Sequence, residues 1–234
     1  MRSEDGSGPL PVKICGLTRR EDALAAERAG AAFLGVVLSS GFGRSVAREL
    51  APALLEGTTT PRVAVLVDEI PSRAAELAAA MGAAVVQLHG RESPDDVVAL
   101  RGLGPWKIWK AVRVRADEDV TAAASEYAGI VDGLLLEGWK PGLVGGGGAV
   151  LSASPERVRE DLPGSADFVL AGGLTPETVG EAVRAFRPDV VDVSSGVESA
   201  PGRKDEDRMR RFVEAVRGAL VAVPSEPVDG RVGR

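Results

Sequence analysis

Eight short runs of aliphatic and β-branched residues recur along this chain, each followed by a stretch carrying helical signals. Few folds accommodate that rhythm. The runs are Pro11–Cys15, Ala32–Leu38, Arg62–Val67, Ala84–His89, Lys107–Val112, Val131–Glu137, Asp167–Ala171 and Val190–Val193. Most are near-continuously apolar rather than alternating, the pattern of parallel strands buried on both faces. Between them, Thr18-Arg19-Arg20-Glu21 has the form of a capping box. Ser93-Pro94, Ser154-Pro155 and Thr175-Pro176 each place a capping side chain before a proline at a first helical position. Gly30 and Gly82 follow Ala-rich segments and read as helix stops, and a last helix is expected from Asp205 to Leu220. Eight such units in 234 residues predict an α/β chain folded as a (β/α)₈ TIM barrel, with a doubly wound open sheet as the alternative. One domain is expected over residues 11–222, between disordered tails at 1–10 and 223–234 that are rich in Gly, Pro, Ser and charge.

Composition narrows the function. A formal net charge of −6 offers no basic footprint for nucleic acid or an anionic membrane. One cysteine and one histidine exclude an internal disulfide framework and argue against a structural zinc site. The first residues are polar and include acidic ones, unlike a signal peptide, and no apolar run approaches a membrane span, so a cytoplasmic protein is expected.

Active sites of such barrels lie at the C-terminal strand ends, often with phosphate held by the loops after the last two strands. Here those loops are Ala171-Gly172-Gly173-Leu174-Thr175 and Asp192-Val193-Ser194-Ser195-Gly196. Glycines let backbone amides approach an anion, and serine hydroxyls add donors; the plain alternative is a pair of tight turns. Alternation puts Lys13 and Cys15 on one face of the first strand. If that face is interior, the ammonium is expected to lower the thiol pKa toward neutrality. Otherwise Cys15 is a small core residue. Glu137 ends the sixth strand across the barrel mouth, either as an acid/base group or as a solvated carboxylate. Arg44, in Ser39-Ser40-Gly41-Phe42-Gly43-Arg44-Ser45, either grips a carboxylate bidentately or faces solvent. His89 reads as a proton shuttle or as a hydrogen-bonded strand-end histidine. Gly145–Gly148 reads as a flap or an insertion.

Taken together, these segments resemble the phosphoribosylanthranilate isomerase family of tryptophan biosynthesis. The resemblance is carried by Val12-Lys13-Ile14-Cys15-Gly16-Leu17-Thr18, Val86-Gln87-Leu88-His89-Gly90, Leu170-Ala171-Gly172-Gly173-Leu174-Thr175-Pro176-Glu177, Val191-Asp192-Val193-Ser194-Ser195-Gly196-Val197-Glu198 and Pro201-Gly202-Arg203-Lys204-Asp205, in order from Val12 to Leu220. It implies an Amadori rearrangement of an N-aryl aminoaldose phosphate, without metal or organic cofactor, by a monomer or homodimer. It also implies Cys15 as general base at sugar C2′, Glu137 as general acid at the furanose ring oxygen, and Arg44 on the anthranilate carboxylate. Asp192 would lie near the substrate's amino side, with Gly172, Gly173, Ser194, Ser195 and Gly196 around the phosphate. One departure stands out: the family carries an aspartate where this chain has Glu137, and the following loop differs around Val150-Leu151-Ser152-Ala153. That departure motivates two alternatives, an isomerase of another arylamine phosphosugar and a barrel that binds phosphosugars without catalysis.

Overall fold

Strands β1 (Val12–Ile14), β2 (Phe33–Val37), β3 (Arg62–Leu66), β4 (Val85–Leu88), β5 (Lys107–Val114), β6 (Gly133–Gly138), β7 (Asp167–Leu170) and β8 (Val190–Val193) close in sequence order into an all-parallel barrel in a computed structural model. Residues 8–138, 151–162 and 164–221 are described. The expectations for Gly145–Gly148 and for the tails at 1–7 and 223–234 lie outside them. Helices α1 (Arg20–Ala29), α2 (Ala51–Leu54), α3 (Pro71–Met81), α4 (Pro94–Arg101), α5 (Asp117–Glu126), α6 (Pro155–Asp161), α7 (Val179–Phe186) and α8 (Glu206–Val221) follow the successive strands. No described helix is long and apolar enough to cross a membrane.

Near-continuous apolar strands are explained by two cores. Alternate strand residues face outward, where Ile14, Leu34, Leu66, Val86 and Leu136 pack with Leu77, Leu100, Val183 and Phe212 of the helices. The intervening residues point inward and fill the barrel floor: Val63, Val65, Val85, Trp109, Leu135, Val169 and Val190. Trp109 meets Phe33 edge-to-face at 5.1 Å between ring centroids. It fits because its neighbour in register across β6 is Gly133, where an added Cβ would stand 2.6 Å from the indole. Above this floor, the same inward positions carry polar side chains, and these make the site.

Local signals fared unevenly. Ser93 and Ser154 cap α4 and α6 as expected, and Gly30 and Gly82 close α1 and α3 in the left-handed conformation. Thr18 does not cap α1. Its hydroxyl donates to Gly202 O at 2.6 Å, tying the β1 loop to the β8 side, and the N-cap is Arg19. Thr175 opens a turn rather than α7, whose N-cap is Thr178. Leu10, assigned to the tail by sequence, is buried in the outer core.

Candidate active site

One cavity of about 450 Å³ opens at the C-terminal end of the barrel. Cys15, Arg44, Glu137, Gly172, Gly173, Asp192, Ser194, Ser195 and Gly196 all line it. Inward alternation delivers the side chains of β1, β6 and β8 to the mouth.

On the β1–β8 side, Lys13 is fully buried and donates to Asp192 Oδ1 at 2.9 Å. Lys13 and Asp192 are Cα partners in the β1–β8 register, so the ion pair spans one ladder rung. Cys15 lies one inward step above Lys13, 8% exposed. Glycine at position 35 makes room for both: an added Cβ there would stand 3.0 Å from Cys15 Sγ and from Lys13 Cε. The expected fall in the thiol pKa is not found. Burial pushes it up, Lys13 pulls it down, Asp192 pushes it up again, and the net direction is upward. Desolvation is the largest of these effects, and Asp192 adds to it by opposing the ammonium at the sulfur. Without ligand, Cys15 therefore rests as a thiol.

Glu137, on β6, lies three strands away around the barrel. Its Oε1 meets His89 Nε2 at 3.1 Å and Arg113 Nε at 3.3 Å. Burial alone would raise its pKa, but the hydrogen bond and charge of His89, with those of Arg113, more than offset that and hold it below the usual carboxylate range. His89 in turn meets Gln87 Nε2 through Nδ1 at 2.9 Å. Glu137 is thus a held, 8% exposed group, not a solvated one.

Arg44 is placed at the mouth, but its fork is taken. Nε and Nη2 donate to the two carboxylate oxygens of Glu198 at 2.7 and 2.6 Å. The bidentate face expected for a ligand is used internally, leaving Nη1 and the outer Nη2 proton for a ligand. Glu198 begins a hairpin of β9 (Glu198–Ala200) and β10 (Arg203–Lys204), whose Lys204 Nζ donates to Glu198 Oε1 at 2.8 Å and to Ser194 O at 3.1 Å. Gly16, with φ +71°, lets the Arg44 stem cross the end of β1; an added Cβ would stand 2.5 Å from Arg44 Cδ.

The two Gly/Ser loops abut. Gly172 and Gly173 both have positive φ, and an added Cβ on Gly196 would stand 1.9 Å from Leu174 O. The two loops therefore form one backbone surface bordered by Ser194 and Ser195.

Arg113, Glu198, Lys204 and Gly35 received no role in the sequence reading. Glu198 and Lys204 lie within segments that carry the family resemblance, but their pairing needs a hairpin too short to register as strands. Gly35 shows no sequence signal, because its φ is ordinary and its constraint is spatial.

Known proteins share both sequence and fold with this chain. Residues 12–215 match the N-(5′-phosphoribosyl)anthranilate (PRA) isomerase family. An N-(5′-phosphoribosyl)anthranilate isomerase from Trichlorobacter lovleyi is 39% identical over 213 residues, 90% of this chain and 100% of its own. Monomers generated from the dimeric phosphoribosylanthranilate isomerase of Thermotoga maritima superpose with a TM-score of 0.77 at 31% identity, over 89% of this chain and 99% of that one. A phosphoribosylanthranilate isomerase in complex with reduced 1-(o-carboxyphenylamino)-1-deoxyribulose 5-phosphate gives a TM-score of 0.76 at 32% identity, over the same shares. The family match spans all eight strands of the barrel, and the chain belongs to the N-(5′-phosphoribosyl)anthranilate isomerase family.

Proposed function

We propose that this chain isomerises N-(5′-phosphoribosyl)anthranilate to 1-(o-carboxyphenylamino)-1-deoxyribulose 5-phosphate in tryptophan biosynthesis, with Cys15 as base and Glu137 as acid. The observation that carries this is the common cavity: a thiol on β1, a carboxyl on β6, a cation beside them and one Gly/Ser surface, all facing the same space.

The chemistry needs two proton movements. Glu137 gives a proton to the furanose ring oxygen, the C1′–O bond breaks, and the nitrogen lone pair forms a C1′=N iminium. Cys15 removes the C2′ proton; that electron pair becomes the C1′=C2′ bond of an enaminol and the imine π pair returns to nitrogen. Proton gain at C1′ and loss from the C2′ hydroxyl give the ketone. No redox partner is needed. General acid and base steps of this kind are worth about 10²–10⁴-fold each.

The resting thiol must ionise for the second step. Lys13 already favours the thiolate, and the iminium formed in the first step brings a further positive charge beside it. Asp192 Oδ1 is committed to Lys13, which leaves Oδ2 toward the substrate nitrogen. Arg44 offers Nη1 to the anthranilate carboxylate, and the Gly172–Gly173 and Ser194–Gly196 backbone offers donors to the phosphate.

The direct test is the loss of anthranilate-type fluorescence as phosphoribosylanthranilate is consumed by the purified chain, with complementation of a tryptophan auxotroph lacking this isomerase. Turnover and normal growth are expected. A second reading, an isomerase of another arylamine phosphosugar, draws on Glu137 standing where the family has aspartate. Failed complementation together with turnover of a modified arylamine phosphosugar would favour it. The cytoplasm is the compartment this role calls for. The dimeric relative makes a homodimer the assembly to look for by light scattering.

A further inference from the structure

The carboxyl assigned as acid is held in its charged form by its neighbours, yet an acid must carry a proton. The side chains behind it contain a second place to keep one. Gln87, His89 and Glu137 form a continuous chain on β4 and β6, with contacts of 2.9 and 3.1 Å. With Gln87 Nε2 toward His89 Nδ1, Nδ1 accepts, and a neutral ring then carries its proton on Nε2, toward Glu137 Oε1. That is the spent form of an acid. In it, Gln87 Oε1 is buried with no hydrogen-bond partner among the described residues, and Gln87 is 1% exposed. An orphaned carbonyl in such a site is costly. A half-turn of the amide brings that oxygen to Nδ1, which must then be protonated. The Nε2 side and Glu137 then share a further proton, which is the loaded form.

We infer that the proton given to the ring oxygen is shared between Glu137 and His89, and that Gln87 loads the pair by turning its carbonyl toward His89 Nδ1. This rests on the reading of Glu137 as the acid. His89 and Gln87 act through Glu137 and are positioning residues. The charged groups around the pair are accounted for. Arg113 of β5 contacts Glu137; Asp119 and Glu126 border the recess behind His89; Lys110 of β5 is turned to Glu92 and to backbone carbonyls. Cys15, Arg44 and Asp192 face the pair across the cavity.

The test uses the untagged full chain, in which His89 is the only histidine, so its ring nitrogens can be read by ¹⁵N NMR without assignment. The pH dependence of kcat/KM for phosphoribosylanthranilate is measured for wild type, His89→Gln and Gln87→Glu. One limb is expected to move by about one pH unit or more, downward in His89→Gln, where a lone carboxyl remains, and upward in Gln87→Glu, where the ionised side chain only accepts; the other limb stays. In Gln87→Glu the Nδ1 proton should persist to higher pH than in wild type. A uniform loss of rate with both limbs in place, or an Nδ1 proton indifferent to residue 87, overturns the inference while leaving the isomerase reading intact. A wild type without isomerase activity overturns both, even if the Nδ1 proton responds.

Discussion

The two sides of the cavity mouth hold their charge in opposite ways. On the β1–β8 side, Lys13 and Asp192 form a buried ion pair, and desolvation of the thiol above it outweighs the pull of the ammonium. On the β4–β6 side, Glu137 belongs to an open chain of neighbours, two of which, Arg113 and His89, remain partly exposed, and it is drawn toward its charged form. The proposed base is therefore protonated at rest and the proposed acid ionised, the reverse of what the reaction needs. A site poised this way keeps its base inert until a cationic intermediate forms beside it, and it needs a separate store for the acid's proton. The partners explain the difference: Lys13 and Asp192 are matched one to one, whereas Glu137 is held by two donors, His89 and Arg113.

This contrast can be broken from either side. Glu137→Gln removes the proton donor and should lower kcat by about 10²–10⁴-fold, read by the fluorescence assay; a loss below tenfold would leave the acid role without support. Asp192→Asn strands the Lys13 charge in the interior. It should cost about 3–5 kcal/mol of stability in urea unfolding, because a buried ion loses its partner. The same change should lower the thiol pKa, visible as thiolate absorbance from the single cysteine. Unchanged absorbance would contradict the view that Asp192 opposes Lys13 at the sulfur.

Smaller changes sharpen the comparison. Glu137→Asp shortens the side chain by one methylene and draws the carboxyl from His89 and Arg113. It should slow turnover about 10–100-fold; a faster variant would mean that this chain works despite its glutamate rather than through it. Glu198→Gln weakens the clamp on Arg44 and should raise KM by a few-fold, on the order of the 1 kcal/mol typical of one hydrogen bond, with a smaller change in kcat.

Stability against pH separates the two sides most gently. The folded thiol pKa is raised, so its contribution is fully present below the unfolded thiol pKa and is lost as pH rises through the folded value. The folded Glu137 pKa is lowered, so its contribution is present above the unfolded carboxyl pKa and is lost as pH falls through the folded value. Denaturant midpoints should show Cys15→Ala flattening only the alkaline decline and Glu137→Gln only the acid one. The opposite assignment would reverse the picture of which side rests protonated.

Much of this was legible in the sequence, for identifiable reasons. Strand existence and order follow from apolar runs separated by helix stops such as Gly30 and Gly82, and inward alternation points Cys15 and Glu137 into one cavity with Lys13 beneath the thiol. What stayed hidden depends on pairing across long sequence distances. Asp192 pairs with Lys13 through a contact 179 residues apart, and Glu198 occupies Arg44 through one of 154. No local pattern encodes those partners or the closing of the barrel that desolvates the thiol, so neither the raised thiol pKa nor the occupied fork of Arg44 is legible in the sequence. Gly35 escaped for the same reason: its lack of a side chain matters only because β2 lies against β1.

The central claim is that the buried thiol of Cys15 takes the C2′ proton. Single-turnover consumption of phosphoribosylanthranilate by Cys15→Ser, with affinity for the reduced product analogue measured alongside, tests it most directly. The account predicts a rate below about a hundredth of wild type with that affinity largely kept, whereas a variant retaining more than about a tenth of the wild-type rate would contradict it.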